Sequence, residues 1–181
     1  MAQFELGVQL YELERYAECV PCFEKSLKLN PAFDLALLYI AKACCELGRM
    51  EEANRYFQKC LKHARENDKV LFDYANFVRD RGHFRAAIRI YQNTLRINPR
   101  HSLALFNMGA LCVRMGDMDR GWTSIKAAIQ LNPDNAAFHE KLGQLPLSGT
   151  ALESAVQLLE DFLKRFPAAV ACRSILAGIH F

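Results

Sequence analysis

Large apolar residues recur along the chain at a fixed interval: Leu6, Ile40, Tyr74, Met108, Leu142 and Leu176 stand 34 positions apart. The residue after each is small, namely Gly7, Ala41, Ala75, Gly109, Gly143 and Ala177. A second pair of columns sets Cys19, Ala53, Ala87, Gly121 and Ala155 four residues ahead of Phe23, Phe57, Tyr91, Ile125 and Leu159. Residues four apart share a helical face, so a small residue one turn before a large one predicts helices that approach closely and interlock. Gly48, Gly82 and Gly116 recur between the two sets of columns, where a helix must stop and the chain reverse. The stretch LKLNP at 27–31 returns as LRINP at 95–99 and as IQLNP at 129–133, and Pro31, Pro99, Pro133 and Pro167 close successive units. Each unit is predicted to be two helices and two turns, which makes the fold class all-α.

This alternation of large, small, turn and proline over 34 residues resembles the tetratricopeptide repeat family. The resemblance covers nearly the whole chain, 1–181, as a single repeat domain. Repeats fall at about 1–33, 34–67, 68–101, 102–135 and 136–169, with the first helix of a sixth from 170 to 181. It implies a right-handed superhelical solenoid in which the first helix of each repeat lines a concave groove.

The departures from the pattern carry expectations of their own. Repeat two ends in KHARE, with Arg65 in the proline column and His63 where other copies have Leu29, Ile97 and Leu131, so its second helix is expected to run on into the next unit. In repeat five, Pro146 would remove a helical hydrogen bond and clash with the preceding turn, so the first helix is expected to end near Gln144. Thr150 followed by Glu153 has the form of a capping box and predicts a clean restart. The last segment is apolar at Val170, Ile175, Leu176, Ile179 and Phe181, whereas a stack needs a polar outer face at its end. Either the natural chain continues beyond Phe181 or residues 170–181 mediate self-association.

Composition narrows the class. With 181 residues and 51% hydrophobic content the chain can bury a core without disulfides or metal. A formal charge of +3, from 23 basic and 20 acidic residues, supplies no strong overall field for nucleic acid or anionic lipid. The opening MAQFELGVQLYELE carries acids where a secretory signal carries lysines, and no apolar stretch reaches the roughly 18 residues of a membrane span. Seven cysteines, an odd number without a secretory context, suit reduced thiols and a cytoplasmic location.

Candidate chemistry is sparse. Cys19-Val-Pro-Cys22 has the CxxC form, but a zinc site needs a second pair and none exists, and Cys19 stands in the small packing column. Cys44, Cys60 and Cys112 read as core; Cys45 occupies a column that faces the groove, where an exposed thiol could react. His63, His83, His101, His139 and His180 lack the spacing and carboxylates of a ligand set. Neither a hydrolase elbow nor a phosphate loop is present, so no metal, cofactor or catalytic residue is expected and the chain is read as a non-enzyme.

The groove is the expected site. In the resemblance, groove residues lie on first helices, and one such column reads Phe4, Leu38, Phe72 and Phe106, flanked by Leu35, Tyr39 and Leu103 with Asn76, Arg79 and Asn107 as polar neighbours. An apolar floor with a few convergent donors suits a protein or peptide partner, extended or helical. The clamp that some family members use for chaperone tails is incomplete. Asn76, Asn107 and Lys141 fall on its columns, but Phe72 and Ala137 stand where basic residues belong. The asparagine ladder of members attached to a sugar-transferring enzyme is reduced to Asn107 in a column reading Glu5, Tyr39, Asp73, Asn107 and Lys141. Arg85 and Arg89, one turn apart on the second helix of repeat three, form a candidate basic outer patch; nucleic acid is disfavoured as a partner because the nearby Phe84 and Tyr91 fall in packing columns. The expected function is a non-catalytic interaction scaffold. The alternative is the substrate-recognition arm of a larger enzyme whose catalytic domain lies elsewhere.

Overall fold

The structure, a computed structural model, describes residues 2–179. These residues form eleven helices and no strand: α1 (Ala2–Glu12), α2 (Tyr16–Leu29), α3 (Asp34–Glu46), α4 (Met50–His63), α5 (Asp68–Asp80), α6 (Phe84–Ile97), α7 (Ser102–Arg114), α8 (Met118–Leu131), α9 (Ala136–Leu142), α10 (Gly149–Arg165) and α11 (Val170–Ile179). From α3 onward the first helices begin at 34, 68, 102, 136 and 170, and the second helices begin at 16, 50, 84 and 118, so the sequence period is also the period of the backbone. The turn inside each pair needs one residue in the left-handed region. Gly48, Gly82 and Gly116 supply it with φ of 72°, 79° and 89°, while in the first copy Glu14 takes the same place with φ 58°. The repeated Asn-Pro explains itself at the exits of α2 and α6. There Asn30 and Asn98 leave the helix, their N–H groups donate to Ser26 and Thr94 carbonyls, and their side chains accept from the N–H of Ala32 and Arg100.

Two compact units divide the chain, Met1–Gly82 and His83–Phe181, with the boundary inside the third repeat. In the first unit Gly7 lies against the Phe23 ring: a Cβ there would stand 2.7 Å from Phe23 Cε1. Cys19 and Ala53 are fully buried, as are Phe23 and Phe57 one turn on. Phe57 also meets Tyr74 and Phe77 with ring centroids 5.5 and 5.2 Å apart. The second helix of repeat two does not run on. It ends at His63, in step with α2, α6 and α8. Ala64 leaves the helical region and donates to the Cys60 carbonyl, and the Asn67 side chain then accepts from the N–H groups of Lys69 and Val70 to start α5. A cap on the next helix replaces the missing proline.

In the second unit α7 and α8 cross backbone to backbone. A Cβ on Gly109 would stand 2.7 Å from the Gly121 carbonyl oxygen, and one on Gly121 2.8 Å from that of Gly109. Phe106, Trp122, Ile125, Phe138, Leu142, Leu159 and Phe162 fill the core around this crossing. The first helix of repeat five stops at Leu142, before Pro146. The second does not begin with a Thr150 cap: α10 starts at Gly149, with Ser148 extended ahead of it and making no side-chain capping bond, which places Thr150 inside the first turn. The glycine is in the left-handed region, φ 54°, and it bends the chain into the helix earlier than a Thr150 start would.

His139, on α9, is 1% exposed and stacks on Phe162 at 4.0 Å between centroids. Its Nε2 lies 2.9 Å from the Pro133 carbonyl, to which it donates, and Nδ1 is buried with no partner. Burial chiefly, and secondarily the charge of Arg165, push its pKa below the ordinary 6.5, while the bond to Pro133 and the charge of Asp134 act the other way. The unfolded chain therefore takes up a proton near the ordinary value that the folded chain refuses, and stability falls as pH drops below about 6.5. A thermal melt followed by circular dichroism at about pH 7.5 and about pH 5.5 is expected to show a lower midpoint at the acid pH, a difference that shrinks in His139→Gln.

Candidate peptide-binding surface

The column Phe4, Leu38, Phe72 and Phe106 does not form one uniform stripe. Phe106 is 1% exposed and lies flat on Phe138, centroids 4.6 Å apart and rings within 3° of parallel. Leu38 is 8% exposed. Both are core residues rather than free anchors, because a neighbouring helix already covers the face that a ligand would need. Phe4 is half-buried within a ring cluster, with Phe33, Phe23 and Tyr39 at 4.7, 5.5 and 5.9 Å.

The first unit also carries a partly exposed band on α3 and α5, in which Tyr39 belongs to the same ring cluster, stacked on Phe23 at 5.1 Å. Leu35 is 49% exposed, and Tyr39 and Phe72 are half-buried. Lys42 on α3 reaches Asp73 on α5 at 3.5 Å, which ties the two helices together at this level. Arg79 donates to Asn76 Oδ1 at 3.1 Å and to Asp80 Oδ1 at 2.8 Å, which holds its guanidinium along α5. Leu103, 44% exposed, and the half-buried Asn107 lie on α7 in the second unit. Arg85 and Arg89 are exposed on α6.

Beside the band opens a cleft of about 520 Å³ lined by Cys45, Glu46, Met50, Phe77, Asp80 and Arg81. The sequence offered only Cys45 as a pointer to it. Met50 and Phe77 follow the repeat register as ordinary packing residues, and the opening arises from how the α3–α4 turn sits against the end of α5. Arg81 donates to Glu51 Oε1 at 3.3 Å and lies over the Phe77 ring, 5.6 Å from its centroid. The Cys45 thiol is pushed up to about 11, first by burial and then by the charges of Cys44, Glu46 and Asp80, so it is a neutral wall of the cleft and not a reactive thiolate. Tyr11 is likewise pushed up to about 12, by burial and then Glu46, Tyr16 and Asp73. The lining carries charge of both signs, with Asp80 paired to Arg79 and Arg81 to Glu51, beside the apolar Met50 and Phe77. Cys19 and Cys22 are buried, their thiols donating to the carbonyls of Tyr16 at 3.2 Å and Glu18 at 3.5 Å, which is packing. Among the described residues there is no group of three or more His, Cys, Asp or Glu side chains placed to hold a metal ion, and no helix is long and apolar enough to cross a membrane.

Helix pairs that repeat every 34 residues and present side chains on an open face define a helical-repeat scaffold, a class of fold that serves protein–protein interaction. The chain belongs to the tetratricopeptide repeat family: the profile of the Cilia and flagella-associated protein 70 middle TPR-like domain matches residues 37–171, and that of the tetratricopeptide repeat itself matches 1–33. TPR repeat-containing protein MJ1428 of Methanocaldococcus jannaschii is 27% identical over 136 residues, 73% of this chain and 23% of that protein. The mouse protein O-mannosyl-transferase TMTC1 is 43% identical over 51 residues, 28% of this chain and 5% of that protein, so the chain spans only a minor part of these curated relatives. Among solved structures, the thermophilic TPR protein TTC0263 of Thermus thermophilus superposes with a TM-score of 0.72 at 25% identity, covering 98% of this chain and 96% of that one. YrrB, described as a TPR protein with an unusual peptide-binding site, superposes at 0.70 with 16% identity, covering 96% and 90%.

Proposed function

We propose that this chain is a non-catalytic scaffold that holds a peptide or partner helix on the open band of its first unit, with one apolar side chain of the ligand seated in the cleft. The observation that carries this reading is that α3 and α5 bear both the partly exposed Leu35, Tyr39 and Phe72 and, nearer their ends, the cleft lined by Cys45, Glu46, Met50, Phe77, Asp80 and Arg81. The preferred ligand pairs an apolar anchor with a basic residue, which Glu46 in the lining attracts. The peptide-binding site that YrrB is described as having supports the reading at the level of fold. Within the second unit, Leu103 and Asn107 on α7 pair an exposed apolar residue with a half-buried polar one. The seven free cysteines, six of them buried, suit a reducing cytoplasm.

The test is selection from a displayed peptide library followed by fluorescence anisotropy. Peptides with an apolar-basic pattern are expected to bind, and Leu35→Glu with Phe72→Glu is expected to weaken them at least about tenfold while helicity by circular dichroism holds. Retention of binding by the folded variant would sink the assignment. The substrate-recognition arm of a larger enzyme is the second reading, favoured by the match to a segment of a mannosyl-transferase. A full-length transcript encoding a transferase domain would establish it. Self-association through 170–181 is a third proposal: Val170 is 68% exposed, whereas His180 and Phe181 lie outside the described residues. Sizing chromatography over a range of concentrations tests it.

A further inference from the structure

Between Arg81 and Gly116 the chain has no Asp or Glu at all, yet it holds Arg81, Arg85, Arg89, Arg96, Arg100 and Arg114 and no lysine. Six basic residues against no acidic ones give this stretch +6, so the rest of the chain, at +3 − 6 = −3, is acidic. A near-neutral total conceals a segregated charge.

The helix α6 organises that charge. Arg85, Arg89, Gln92 and Arg96 follow an i, i+4, i+7, i+11 spacing and are all exposed, while Ala87, Tyr91 and Thr94 are buried on the opposite side. Among the described residues no acidic side chain pairs with Arg85, Arg89, Arg96 or Arg100, in contrast to Arg15, Arg79, Arg81 and Arg165, which each have a carboxylate partner. Local stability accounts for Arg96 in the last turn but not for the start of the stripe. The first turns of α2, α4 and α8 carry Glu18, Glu51 with Glu52, and Asp119, whereas that of α6 has no acid and carries Arg85 at the positive end of the helix dipole.

We infer that this face of α6 docks an acidic helical segment of a partner protein, separately from the proposed peptide band. Helical rise places the arginine positions about 6 Å and about 10 Å apart along the axis, a spacing that carboxylates at i, i+4 and i+11 of a second helix reproduce. Guanidinium forks take such carboxylates two hydrogen bonds at a time. Phe84, 39% exposed at the start of the stripe, adds an apolar contact for the same helix. Nucleic acid fits less well, because Tyr91 is fully buried and the stripe has no aromatic between its charges on which a base could stack.

The test is anisotropy with three labelled probes at about 50 mM and about 200 mM salt. The probes are a helical peptide with Glu at i, i+4 and i+11, its scrambled isomer, and a short RNA duplex. The registered peptide is expected to bind at least about tenfold tighter than the scramble, and more weakly at the higher salt. Arg85→Glu, Arg89→Glu, Arg96→Glu should abolish that binding, and a peptide with Lys at the three positions should bind this variant. Because Arg85→Glu suits the first turn while Arg96→Glu opposes the dipole in the last, the two changes offset and the variant's melting temperature should stay near the parent's, and an Arg→Gln triple variant provides the same loss without new charge. Equal binding of the scramble, tighter binding of the duplex, retention of the peptide by either variant, or salt-sensitive self-association that the triple variant loses would each overturn the inference.

Discussion

Replacing Gly109 with valine is expected to cost about 3 kcal/mol or more and to melt the second unit well below the parent. The reason is what the new side chain meets. Even its Cβ would stand 2.7 Å from the Gly121 carbonyl oxygen and 3.1 Å from the Ile125 backbone nitrogen, besides the Ile125 side chain at 2.9 Å. A flexible side chain can turn aside, but a backbone carbonyl within the first turn of α8 moves only if the helix does. Separating α7 from α8 would open the packing of Phe106, Trp122 and Ile125 together. Urea denaturation checks the prediction. Gly116→Ala in the neighbouring turn should do less damage: nothing lies near its Cβ, and the cost is that of a left-handed φ of 89°, about 1–2 kcal/mol.

Phe106→Ala is expected to destabilise by about 3–5 kcal/mol, because it removes a fully buried ring from a parallel stack with Phe138 and leaves a cavity. Phe72→Ala, at the same repeat position but half-buried, should cost less than half of that. Thermal melts of the two single variants read the difference directly. The contrast also decides how the proposed binding at the first helices can be tested: a charge at 106 would report unfolding, while the half-buried position 72 is the better place for a charge that challenges a ligand. If both substitutions prove equally mild, the burial of Phe106 on Phe138 is wrong.

Much of the fold is readable from the order of residues. The 34-residue spacing of small and large positions marks helix crossings, and where the small residue is Gly7 or Gly109 even a Cβ would stand 2.7 Å from the Phe23 ring or the Gly121 carbonyl. Phe23, Phe57, Tyr91, Ile125 and Leu159 are all buried as their column predicts. The end of α4 differs from the expectation because proline is not the only stop signal, and Asn67 capping α5 does the same work from the other side. The start of α10 differs because a capping box is a local pattern, and the path of the chain after Pro146 begins the helix before Thr150.

By itself the sequence determined the number and spacing of helices, the residues at their crossings and the absence of acid from the stretch around α6, because these depend on local spacing and on side-chain size. Tertiary structure alone decided which member of a column is core and which is surface. Phe72 and Phe106 are the same residue in the same register, yet Phe106 is fully buried against the Phe138 ring while Phe72 is half-buried. It also decided the cleft, which exists because the α3–α4 turn and the end of α5 meet around Phe77, a distance that no local pattern encodes.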